Sequence, residues 1–103
     1  MKDPITIDDV TIVREAIDWS PRFITKVIEA EAVGGRYDLC MTWDRVQRRL
    51  MVALLNFQTS YLFNGTVHWD YVGEKLHLPR PDAQAVTAII NRHFDTLKER
   101  AWT

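Results

Sequence analysis

Apolar positions recur at helical spacing in four stretches of this chain, and those stretches set the first expectation for its architecture. Val10, Val13 and Ile17 fall three and four residues apart, and Ile12, Ala16 and Trp19 repeat the interval, the recurrence of an amphipathic helix. Thr6 stands where a cap would, with Asp8 and Asp9 near the positive end of the helix dipole. Ser20-Pro21 reads as a break and restart, since serine favours the cap and proline the first turn. A second helix then buries Phe23, Ile24, Val27 and Ile28, and Gly34-Gly35 stops it.

The third stretch is the longest. Behind a Thr42 cap, Trp43, Val46, Leu50, Ala53, Leu54, Phe57 and Tyr61 form one stripe, and Asn64-Gly65 ends it. Met51, Leu55 and Leu62 make a second stripe about a quarter turn away, at ~100° per residue. From Leu50 to Leu55 such a helix is apolar nearly all round, which suits the middle of a bundle or an interface. Asp82 caps a fourth helix whose buried side is Val86, Ile89, Ile90, His93, Phe94 and Leu97.

The expected fold is therefore mainly α: a single small domain over 1–103, with helices at about 7–19, 21–33, 42–63 and 83–100. Two segments admit strands. Residues 66–78 alternate through Val67, Trp69 and Tyr71 before Gly73, Leu76 and Leu78, which suits a short β-hairpin, or one helical turn closed by Gly73. Tyr37, Leu39, Met41 and Trp43 also alternate, so a short strand is compatible with 37–43.

Composition agrees with an ordinary globular chain, at 47% hydrophobic and 26% charged residues. The lone Cys40 has no internal disulfide partner, and the start of the chain lacks the basic-then-apolar order of a signal peptide. The longest apolar run, Leu50 to Leu55, is far short of the ~20 residues of a membrane span. A cytoplasmic protein with no membrane association is expected. Net charge is −1 and uneven: residues 1–35 hold four Lys/Arg against seven Asp/Glu, and residues 36–103 hold nine against seven.

No stretch names a reaction. His68, Asp70 and His77 are the one set with metal-ligating chemistry, but their spacing matches no established zinc pattern. Ser20 reads as a cap, Ser60 lies inside the third stretch, and Gly34-Gly35 lacks the lysine of a phosphate loop. His93, on an apolar helix face, reads as a hydrogen-bonded core residue. Neither an enzyme nor a cofactor is expected, and no metal.

Two binding functions are left. Ala30-x-x-x-Gly34, followed by a helix carrying Arg45, Arg48 and Arg49 with Arg36 nearby, outlines a helix-turn-helix-like DNA-binding regulator. Against it, the gap from Gly35 to Thr42 is too long for that tight turn. The leading expectation is a non-enzymatic regulator, inhibitor or subunit. It would bind another protein, as a homodimer, through Met51, Leu55, Leu62 and Trp102, because surplus apolar and aromatic surface is typical of interface anchors.

Overall fold

Residues 5–32 and 35–100 are described by a computed structural model, with side chains through residue 96. A single turn of 3-10 helix at Ile7–Asp9 leads into five strands: β1 (Thr11–Trp19), β2 (Phe23–Ala32), β3 (Gly35–Asp44), β4 (Arg49–Leu54) and β5 (Thr59–Phe63). Helices α1 (Trp69–Leu76) and α2 (Arg80–Arg100) follow. The strands lie side by side in chain order, each antiparallel to the next. The expectation of a four-helix bundle is overturned: three of the four helices are strands.

The reasons are local. Thr6 does begin a helical turn, its N–H donating to Asp9 Oδ2 at 2.8 Å, but Val10 is extended and β1 follows. A bulge between Ile12 and Arg14 shifts the parity of β1. Its inward residues are Ile12, then Glu15, Ile17 and Trp19, and the interrupted alternation reads as helical spacing. In β2 the inward slots hold Ile24, Ile28, Ala30 and Ala32, with Lys26 among them, and Val27 lies on the opposite side. Ser20-Pro21 is a hairpin turn, with the Ser20 N–H donating to the Phe23 carbonyl at 2.9 Å.

The segment 42–63 is the end of β3 followed by two hairpins. Asp44 organises the first turn, accepting from the N–H groups of Val46 at 2.9 Å and Gln47 at 3.1 Å. Each turn finishes on a residue with positive φ, Arg48 (56°) and Gln58 (54°), where glycine or asparagine is usual. Between them β4 is apolar on both sides because it is interior to the sheet: Leu50, Val52 and Leu54 are buried, and Met51 and Ala53 point the other way. Gln58→Gly should stabilise the protein by roughly 0.5–1 kcal/mol, because glycine takes positive φ without strain. A helical residue would lose about that much on the same change, so the sign of a thermal-melt shift separates the two architectures.

The alternation through Tyr37, Leu39, Met41 and Trp43 is that of a strand, and all four are buried in β3. Residues 66–78 are not a hairpin. His68 caps α1, Gly73 lies inside that helix, and His77 ends it in the left-handed conformation at φ 57°. The C-terminal helix agrees with expectation in type, but it starts at Arg80 with Pro81 and Asp82 in its first turn, so Asp82 is not its cap. Both helices pack on one side of the sheet. Val72, Leu76, Val86, Ile89, Ile90 and Phe94 meet the inward side chains of β2–β5, and Phe94 sits edge-on to Trp43 at 5.9 Å. Among the described residues no helix is long and apolar enough to cross a membrane.

Candidate interaction surface

An antiparallel sheet with one covered side normally turns polar residues to water on the other. Here the open side is largely neutral. Cross-strand register lines up Ala16, Val27, Cys40, Ala53 and Ser60 in one row, and Asp18, Thr25, Thr42, Met51 and Leu62 in the next. Val27, Met51 and Leu62 are each more than 40% exposed, and Phe23 is exposed just beyond them. Asp18, on the edge strand, is the one charge in these two rows.

Most of the charged side chains on this side stand towards the two ends of the strands, and several are paired there. Arg22 Nη2 lies 3.1 Å from Asp44 Oδ2, and its guanidinium also rests 5.2 Å over the Phe23 ring. The hydrogen bond from Arg22, then the Gln47 N–H, hold the Asp44 carboxyl below its usual range. At the other end Arg36 lies 3.2 Å from both Asp38 and Glu29, and Arg14 is 3.8 Å from Glu29. The Asp38 hydrogen bond is the main reason the Arg36 guanidinium holds its proton more tightly than usual.

Met51 and Leu62 are direct cross-strand partners on this open side. Leu55 stands at the start of the β4–β5 turn, exposed, its N–H donating to the Asp38 carbonyl at 2.8 Å. Trp102 lies outside the described residues. Phe23 and Val27 belong to the same surface and were missed, because as members of a helix they counted as core. Phe23, Thr25 and Val27 share one face at a period of two, but the apolar Ile24 and Ile28 between and beside them hide that period in the sequence.

The arginines do not gather. Arg45 and Arg48 belong to the β3–β4 turn and Arg49 opens β4, whereas Arg36 is at the far end of β3, ~30 Å away along an extended strand. Arg45 lies 5.6 Å over the Trp19 ring, and Arg49 bonds the Gln47 side chain. Ala30 lies in β2 and Gly35 opens β3, so among the described residues there is no helix-turn-helix to present them. His68 and His77 cap opposite ends of α1, ~13 Å apart at helical rise, so they do not converge on one ion. No group of three potential metal ligands occurs among the described residues.

Comparison with family models, with curated proteins and with solved structures returns no match. The surface therefore has to be read from its own chemistry.

Proposed function

We propose that this chain works by non-enzymatic protein binding, and that the open side of its sheet is where a second copy docks. One observation carries the reading: two rows crossing all five strands with Asp18 on the edge strand as their one charge, and with Val27, Met51 and Leu62 exposed, on the side that neither α1 nor α2 covers. Contiguous exposed apolar patches of a few hundred Å² mark interaction sites. Five strands at ~4.8 Å spacing and two rows taking up ~13 Å of strand length give a patch of roughly 300 Å², and the whole face with its charged ends approaches the ~800 Å² per partner of a standard interface.

Charge favours a like partner. Arg14, Arg22 and Arg36 are already paired with acids of the same chain, so two such faces meet without net repulsion. A polyanion, by contrast, gains little from cations already neutralised. Two sheets packed in this way would sit ~10 Å apart with their small side chains interleaved.

Light scattering should return twice the mass of the 12.0 kDa chain, and Met51→Glu or Leu62→Glu should return the monomer, since each places a charge in a dry seam. A monomeric wild type at high micromolar concentration would overturn the reading. A dimer indifferent to both substitutions would move the contact elsewhere.

A further inference from the structure

On the helical side of the sheet, β1 projects past the cover that α1 and α2 provide, leaving a groove of about 450 Å³ between its inward face and the second half of α2. Ile12, Ile17 and Trp19 of β1 wall it, each 39% exposed or more, opposite Ile24 and Ile28 of β2 and Ile89 of α2. Five polar side chains, Glu15, Lys26, Arg92, His93 and Thr96, line the groove beside these apolar walls. Lys26 takes an inward position between Ile24 and Ile28, its side chain only 13% exposed, with Nζ 3.2 Å from Glu15 Oε1 on β1. His93 comes from α2 and is 4% exposed, and neither ring nitrogen has a hydrogen-bond partner among the described residues. Arg92 stands exposed at the rim.

Packing alone does not account for this set. Buried polar atoms are almost always bonded, and an apolar side chain at 93 would fill the same place with no desolvated nitrogen. A neutral imidazole with both nitrogens unmatched, a lysine in an isoleucine slot and uncovered isoleucine and tryptophan meet in one concavity. Apolar walls with a few convergent polar groups are the make-up of a ligand site, and the volume falls within the ~300–1,000 Å³ of such pockets.

We propose that this groove binds a small monocarboxylate with an apolar body, the body against Ile17, Trp19 and Ile24 and the carboxylate between Lys26 and His93. The sign follows from the groove's own charges: Lys26 and Arg92 against Glu15 leave one positive charge in excess. That balance suits a single carboxylate better than a doubly charged phosphate. Burial, and then the neighbouring Lys26 charge, lower the His93 pKa to about 4, so at neutral pH the ring offers one N–H to a carboxylate oxygen. Lys26 has two further N–H groups beyond the one turned to Glu15.

Dodecanoate, kept below its micelle concentration, is the probe, with dodecanol as the uncharged match. Calorimetry should show saturable one-to-one binding of dodecanoate, at least tenfold tighter than dodecanol, with the His93 ring resonances shifting on binding. Lys26→Met should abolish the preference for the charged probe. His93→Leu, chosen because it leaves the core filled, should weaken dodecanoate at least tenfold while the protein stays folded. Met51→Glu, on the opposite side of the sheet, should change the oligomer and leave dodecanoate binding intact, which keeps this result separate from the docking reading. Equal affinity for both probes, absent saturation, or binding unaffected by either groove variant would each overturn the proposal.

Discussion

His93→Leu will raise the stability of this protein, and the gain will grow as the solution is acidified. At neutral pH the wild type buries an imidazole whose nitrogens meet no partner among the described residues, and an unmatched buried polar group costs about 1–3 kcal/mol. The pH dependence adds to that. In the native state the ring resists protonation down to about pH 4, mainly because it is desolvated and secondarily because Lys26 repels the proton. In the unfolded chain it protonates near the ordinary value of 6.5. Between those values the unfolded state binds the extra proton, so stability falls as pH drops from about 6.5 to about 4 and levels off below that.

The whole window is worth about 3 kcal/mol at 1.36 kcal/mol per unit, and most of the first two should be lost by pH 5. Lys26 of β2, Glu15 of β1 and Arg92 of α2 are the charged groups around the ring. The acids elsewhere titrate alike in both proteins, so the difference between wild type and variant isolates position 93. Urea denaturation of the pair at pH 7 and pH 5 measures it. A variant less stable than wild type by the same amount at both values would show that the ring is bonded and ionisable as usual.

The second large effect is expected at Tyr37. This side chain is wholly buried in β3, and its hydroxyl donates to Asp82 Oδ1 in the first turn of α2. Burial, then the bond to the Asp82 carboxylate, raises the phenol above its usual range. Tyr37→Phe removes the donor and leaves the acceptor partly buried. Hydrogen bonds to charged groups contribute about 1.5–3 kcal/mol, and a loss near 2 kcal/mol in chemical denaturation is expected. Because the same contact ties the centre of the sheet to the start of the covering helix, Asp82→Asn should cost less in the Tyr37→Phe background than alone. A double-mutant cycle reads that coupling directly, and strict additivity would show the two groups to be independent.

How legible the chain was depends on which rule each segment obeys. α2 was readable because Val86, Ile89, Ile90 and Phe94 keep helical spacing over several turns behind a proline start. β3 was legible in part, over 37–43, because Tyr37, Leu39, Met41 and Trp43 are large and apolar and the residues between them small or charged, although Thr42 and Trp43 also fit the start of the expected third helix. β1 was not, because its bulge breaks the period of two at Val13. Segment 42–63 was not, because its turns close on arginine and glutamine where glycine is expected, and its central strand is apolar on both faces.

The surface fared differently from the fold. Met51 and Leu62 were singled out as one stripe of a helix, and they do share a face, but through strand register. That His93 would lie on the buried side of a helix could be read from its spacing. That its nitrogens would have no partner among the described residues, against the expectation of a hydrogen-bonded core histidine, could not, because it depends on what β1 and β2 place opposite.

The order of the strands has a consequence for synthesis. Every strand bonds to its neighbour in sequence, so the sheet can assemble hairpin by hairpin as the chain emerges, through mostly local contacts that favour fast folding. Its cover, however, is made last. From Phe63, where β5 ends, to Arg100, where α2 ends, a ribosome moving at ~5–20 residues per second needs roughly 2–7 s. Until that helix docks, Leu39, Met41, Leu50, Val52 and Leu54, which belong to the core it completes, lack their cover in any sheet that has already formed, and the opposite wall of that sheet is also poor in charge. The hazard for this protein falls in those seconds, and it ends when the final helix closes.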